Sequence, residues 1–179
     1  MRLEGRRIAI LAEDGVEDSE LAEPLRRMKE EGAQVTVVGS EAGRTYHGKR
    51  GMVSVRTDVA ADDVSADDFD ALIIPGGQAP ERMRLNPAMV RLAQQMDEQG
   101  KVIAAICHGI QLLISADRVR DRRATGAAAI RDDIKNAGVH YEDETVVKDG
   151  NLITSRNPAD LPVFNDAIVA ALAAVPAAS

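Results

Sequence analysis

Cysteine occurs once in this chain, at Cys107, and its surroundings make it a candidate nucleophile. The apolar run Val102-Ile103-Ala104-Ala105-Ile106 leads up to it, and His108-Gly109 precede an apolar-periodic segment from Ile110 to Leu113. This pattern predicts a buried strand, a sharp turn and a helix. In a nucleophile elbow the positions two before and two after the reacting residue must be small, because the bend brings their backbones together. Here they are Ala105 and Gly109. The N-terminus of the following helix would favour the thiolate, the nucleophilic form. A lone cysteine is by default a small buried hydrophobe, but the elbow spacing and the adjacent His108 favour chemistry.

Two other segments are expected to converge on that turn. Gly76-Gly77 follows the apolar run Leu72-Ile73-Ile74-Pro75, where bare backbone N–H groups can point into a cleft. With the N–H of His108, Gly76 or Gly77 can form an oxyanion hole; the plainer reading is a tight turn. Glu17 is the second candidate. An ionised carboxylate beside Cys107 would repel a thiolate, whereas a buried protonated one would donate a hydrogen bond to it. The alternative is a helix-first-turn acid that interacts with the helix dipole. His108 is a candidate base and proton shuttle, although adjacent side chains diverge at a tight turn. His47 and His140 show no partner. By sequence alone Glu81 is a surface charge.

The elements that must position these groups read as an alternation. Ile8–Ala12 is a short buried strand, and a helix follows with Leu21, Leu25 and Met28 on one face, capped by Asp18 or Ser19 and closed by Gly32. A second strand spans 34–39, and 40–57 has the alternation of a β-ribbon excursion. The acidic stretch 60–70 reads as a solvated turn. A third strand spans 70–74. Asn86-Pro87 opens a helix ended by Gly100, and the strand before Cys107 follows, with a helix running to about Ala116. Asp121-Arg122-Arg123 reads as a loop, 130–137 as a short helix, and 139–141, 145–147 and 152–155 as short strands, with an Asp149-Gly150 hairpin turn. A helix over 158–174 ends the fold, and Val175 to Ser179 read as a frayed tail. Strands alternating with helices predict an α/β chain: an open, mostly parallel sheet sandwiched by helices, with a β-hairpin excursion. Ligands then bind at the carboxyl ends of the strands.

Composition narrows the possibilities. A chain of 179 residues fits a single domain, 1–179. With 22 basic and 29 acidic side chains, a net charge of −7 and few aromatics, no nucleic-acid partner is expected. No run is long enough to span a bilayer. The charged start lacks a signal peptide's apolar core, and a single cysteine fits a reducing, cytoplasmic location. Three scattered histidines show no metal-ligand spacing, so neither a metal nor a cofactor is expected.

Several motifs in order carry a resemblance. Glu17-Asp18-Ser19-Glu20-Leu21, Ile74-Pro75-Gly76-Gly77-Gln78-Ala79-Pro80-Glu81-Arg82, Ala105-Ile106-Cys107-His108-Gly109, Asp132-Asp133-Ile134-Lys135-Asn136-Ala137-Gly138 and Thr154-Ser155-Arg156-Asn157-Pro158-Ala159-Asp160-Leu161-Pro162 resemble the PfpI family of the ThiJ/PfpI superfamily. The resemblance covers essentially the whole chain and implies a flavodoxin-like, class I glutamine amidotransferase-like fold. It implies that Cys107 is the elbow nucleophile, His108 the catalytic histidine, and Glu17 a buried acid touching the sulfur. It also implies that Glu81 orients the histidine of a neighbouring subunit in a homodimer or hexamer. Where family members often carry an aromatic residue and proline after the threonine matching Thr125, this chain has Gly126-Ala127-Ala128, so an aromatic wall is expected to be missing.

The implied activities share thiolate attack on a carbonyl of a small aldehyde or a peptide: peptidase or amidase, glyoxalase, or protein deglycase, in a stress-response setting. The competing class is a redox-sensing or protective binding protein whose Cys107 is oxidised to sulfinic acid. A glutaminase subunit is disfavoured, because it needs a histidine far downstream of the cysteine and only His140 lies there.

Overall fold

The computed structural model describes residues 1–174, so the expectation for Val175 to Ser179 lies outside the described residues. In chain order the elements are β1 (Arg7–Leu11), α1 (Asp18–Glu30), β2 (Gln34–Gly39), β3 (Thr45–His47), β4 (Ser54–Arg56), β5 (Val59–Ala60) and β6 (Ala71–Ile74). They continue with α2 (Ala79–Met83), α3 (Pro87–Glu98), β7 (Val102–Ile106), α4 (Ile110–Ser115), β8 (Arg123–Ala124), α5 (Arg131–Asn136), β9 (His140–Tyr141), β10 (Val147–Asp149), β11 (Leu152–Ser155) and α6 (Leu161–Ala174).

The main sheet has seven strands in the order β10-β11-β7-β6-β1-β2-β5. All its pairings are parallel except β10 against β11. From β1 the chain steps outward to β2 and β5, then returns to β6 and steps the other way to β7. Right-handed crossovers therefore put α1 and α3 on opposite faces. Helix α1 packs against α6, and α3 against α4. Covered on both sides, β1, β6 and β7 are buried almost throughout, which is why they read as continuous apolar runs. The reversal between β1 and β6 opens a crevice at the carboxyl ends of the strands. Among the described residues, no helix is long and apolar enough to cross a membrane.

The predicted ribbon is the antiparallel β3–β4 hairpin, paired Thr45 with Arg56 through His47 with Ser54. Three details depart from expectation. The stretch expected as a loop at Asp121–Arg123 leads into β8, which pairs with β9 over only two residues, too few to show a period. Helix α2 is a five-residue turn after Gly-Gly with no amphipathic repeat to betray it. The residue that caps α1 is Glu17, with no side-chain cap bond. Asp18, expected as a cap, instead accepts the backbone N–H groups of Arg50, Met52 and Val53, each at 2.8 Å, and latches the hairpin to α1.

Candidate active site

Cys107 sits at the carboxyl end of β7 with φ 61°, a left-handed conformation that costs a non-glycine residue energy. Both small neighbours answer to one residue of β6. Ala105 lies opposite Ile74 in the parallel register, and a methyl group on Gly109 would lie 2.5 Å from the Ile74 carbonyl oxygen. The Ala127 N–H closes the turn from the other side with a 3.1 Å bond to the Cys107 carbonyl. The sulfur is thereby held at the crevice, half-buried.

The acid facing the sulfur is Glu20, which corrects the expectation for Glu17. Glu17 turns away: its carboxylate meets Lys49 Nζ at 2.7 Å and Arg50 Nε at 2.8 Å. Burial alone would push Glu17 upward, but these cations hold it below the ordinary carboxylate value and so ionised. Glu20, one helical turn on, is fully buried. Its Oε1 accepts the Gly76 N–H at 2.9 Å. Burial pushes its pKa up to about 8, with the charge of Glu17 adding, so Glu20 keeps its proton at neutral pH. Its Oε2 is buried without a nitrogen or oxygen partner, and Cys107 is a side chain it interacts with. A methyl group on Gly76 would collide with both partners, 2.5 Å from Glu20 Oε1 and 2.9 Å from Cys107 Cβ.

Gly76 therefore does not serve the oxyanion hole as expected, because its N–H is committed to Glu20. The N–H groups of Gly77 and His108 instead act as the backbone donors that favour the Cys107 thiolate. Burial works against the expected resting thiolate. Burial pushes the thiol up to about 12 and the Glu20 charge adds to that, while the Gly77 and His108 N–H groups and Lys49 oppose it. Helix α4 is only six residues long and is preceded by the tight turn Cys107–Gly109. Below about pH 8 Glu20 is neutral and its share of the push disappears.

The resting thiol therefore needs a base. His108 Nδ1 lies 3.3 Å from Sγ, so the two side chains converge although adjacent in sequence. Burial holds the imidazole below its ordinary value, Lys49 adds to this and Glu81 opposes it, leaving the ring neutral and able to accept a proton. Glu81 is exposed on α2, which packs against the Cys107–Gly109 turn, and its charge reaches the His108 of its own chain. His47, for which no partner was expected, meets Ser54 Oγ at 3.0 Å through Nδ1.

A cavity of about 320 Å³ opens on Cys107, lined by Gly126 to Ala129, Tyr141, Asp143, Arg156 and Asn157. The small residues at 126–129 do leave one wall bare, but Tyr141 brings an aromatic ring from β9. Arg156 is fixed by a two-pronged bond to Asp160 and a 3.0 Å bond to Asp143. A larger cavity, about 480 Å³, is lined by α1 residues with Arg50, Met52 and Pro158 and does not include Cys107.

Sequence reasoning missed Glu20, Lys49, Tyr141 and Arg156. For Glu20 a signal existed: Glu20, Pro24 and Met28 recur at intervals of four, and all three are buried. An acid in a buried helical stripe is a functional candidate in its own right. Lys49 had no local signal, because only the hairpin's return brings it to α1.

Residues 6–171 match a family model described as the DJ-1/PfpI family. The chain is 49% identical over 155 residues to a deglycase of Thermococcus kodakarensis, covering 87% of this chain and 92% of that one. It is 44% identical over 162 residues to general stress protein 18 of Bacillus subtilis, covering 90% and 94%. It superposes with TM-score 0.92 and 48% identity on a two-domain protein of Anabaena variabilis containing DJ-1/ThiJ/PfpI-like and ferritin-like domains, covering 93% of this chain and 48% of that one. The chain thus spans about half of that two-domain protein.

Proposed function

Because the chain belongs to the DJ-1/PfpI family, we propose that it is a cysteine-dependent deglycase or glyoxalase of the stress response, acting on small 2-oxoaldehydes, free or carried as early adducts on amines. The observation that carries this reading is the strained Cys107 with His108 Nδ1 3.3 Å from its sulfur, opening on a cavity of about 320 Å³. That volume sits at the small end of ligand pockets and suits a small carbonyl compound better than an extended peptide.

Sγ adds to the aldehyde carbon as its proton passes to His108. The carbonyl electron pair becomes an alkoxide facing the N–H groups of Gly77 and His108. Return of the proton gives a hemithioacetal; an amine adduct, a hemiaminal, first breaks its C–N bond as its hydroxyl proton passes to the departing amine nitrogen, and the aldehyde so freed adds Sγ in the same way. Neutral His108 then takes the C1 hydrogen as a proton, and reprotonation at C2 yields the thioester of a 2-hydroxy acid. Water hydrolyses the thioester and restores the thiol. The sum adds one water and needs no oxidant. Glu20, protonated, supports the sulfur's negative charge in each step.

The test is lactate formation from methylglyoxal. Cys107→Ala should lose at least about a hundredfold in kcat/KM, and undiminished turnover in that variant would end the proposal. A second reading, oxidation of Cys107 to a sulfinic acid, is favoured by the buried Glu20, whose Oε2 has no nitrogen or oxygen partner and whose side chain interacts with Cys107; mass spectrometry after mild peroxide tests it, and a Cys107 that stays a thiol while another residue takes up oxygen overturns it. We further propose a cytoplasmic chain folded as one domain that self-associates, with Glu81 reaching the site of a neighbouring copy. Light scattering of the wild type and Glu81→Ala, paired with their turnover, examines that part.

A further inference from the structure

The cavity on Cys107 is also lined by Tyr141, Asp143, Arg156 and Asn157, none of which the mechanism uses. Their arrangement is built from the inside outward. Asp160, its side chain 3% exposed, grips Arg156 through Nε at 2.9 Å and Nη2 at 3.0 Å. The guanidinium so fixed donates through Nη1 to Oδ1 of Asp143 at 3.0 Å. An acid whose side chain is 75% exposed is thereby held at the cavity instead of sweeping through solvent. Among the described residues only Oδ1 of Asp143 is engaged, so Oδ2 is free to accept a donor. Asn157 Oδ1 is already committed to the Ala159 N–H at 3.0 Å. Arg156 serves two carboxylates, so the trio keeps a net negative charge. Around it, Glu142 is paired with Arg123 and the adjacent Glu144 is exposed. Lys135 opposes that charge, with Nζ 5.9 Å from the Tyr141 ring centroid, and so already uses this ring as a seat for a cation.

Resting on the deglycase reading, we propose that Asp143 and Tyr141 form a guanidinium subsite beside Cys107, and that Asp143 is a specificity-determining residue for 2-oxoaldehyde adducts borne on arginine side chains. A guanidinium is planar and weakly hydrated. It meets a carboxylate along its edge and an aromatic ring on its face, which a compact ammonium does less well. An arginine-borne hemiaminal keeps its positive charge, because the adduct occupies a single guanidine nitrogen. The C–N bond breaks as the hydroxyl proton passes to that nitrogen, leaving an intact guanidinium and the free aldehyde with atoms and charge conserved. Held at Asp143, the guanidinium releases that aldehyde inside the cavity Cys107 lines, where addition of Sγ precedes escape into solvent. Arg156 does not repel the incoming cation, because Asp160 and Asp143 already neutralise it; its part is to orient Asp143.

Protection of Cys107 from iodoacetamide, measured without methylglyoxal, provides the test. The probes are Nα-acetylarginine methylamide and its uncharged isostere, Nα-acetylcitrulline methylamide. At low salt the arginine compound should protect the wild type at concentrations about three- to tenfold below those the citrulline compound needs. In NMR spectra it should shift the amide signals of residues 126–129 and 157. Asp143→Asn, at an exposed position that tolerates the change, should bring the preference to about one. Tyr141→Leu should lower it about two- to threefold. Equal protection by the two compounds in the wild type, a preference undiminished in either variant, or shifts confined to other parts of the chain overturns the proposal. A wild type that shows the preference yet forms no lactate from methylglyoxal upholds the subsite and counts against the deglycase reading alone.

Discussion

At the scale of single residues, the site is a buried couple of a thiol and a carboxylic acid that do not carry charge together. Glu20 loses its proton near pH 8, and its charge then opposes thiolate formation. Cys107 alkylation should therefore rise with pH and flatten above about 8. In Glu20→Gln, which cannot ionise, the rise should continue without that break, as pH-dependent iodoacetamide kinetics would reveal. His108 is held below its ordinary value, so kcat/KM should persist as the pH falls through about 6.5, where an unperturbed histidine would already have been protonated. The strand-turn-helix pattern and both small positions around Cys107 were readable because they are local consequences of one backbone bend. Which of two acids a turn apart faces the sulfur was not, since that depends on how α1 is rotated against the sheet.

At the scale of elements, the crevice is held by two close packings. The first is the approach of Gly109 to the Ile74 carbonyl, which leaves no space for a methyl group. Gly109→Ala should lower stability by about 1–3 kcal/mol in urea unfolding and displace the elbow, reducing turnover more than the same loss of stability elsewhere. The second is the latch of the hairpin onto α1 through Asp18. Asp18→Ala strands three backbone N–H groups and should cost about 1–3 kcal/mol, with faster hydrogen exchange confined to 49–53. The hairpin was legible as an excursion from its alternating residues. Its attachment to α1 was not, because a carboxylate near a helix start reads as a cap until a hairpin is seen to bring other donors to it.

At the scale of the whole molecule, opposite shifts bracket stability in pH. Glu17, Asp18 and Asp160 are held below their ordinary values by hydrogen bonds and cations that outweigh burial. Their contribution is present above about pH 4–5 and is lost as pH falls through their lowered values. Glu20 is raised, so its contribution is complete below about 4.5 and is lost as pH rises toward about 8. Denaturation at a series of pH values should place maximum stability on the acid side of neutrality. Glu20→Gln should remove the decline between about pH 4.5 and 8, a change on the order of a few kcal/mol.

By itself the amino-acid order determined the parallel α/β architecture, the nucleophile and its turn, and the convergence of three segments on one sheet edge. Those features follow from short-range rules: runs of apolar residues, helical periods, and glycine where backbones crowd. The tertiary structure alone decided that Glu20 rather than Glu17 meets the sulfur, that Gly77 rather than Gly76 offers its N–H, and that burial works against the thiolate. It also decided that a lysine from a distant hairpin pairs with Glu17. Each of these depends on the depth of burial and on contacts between residues far apart in sequence, and desolvation and long-range charge leave no trace in local pattern.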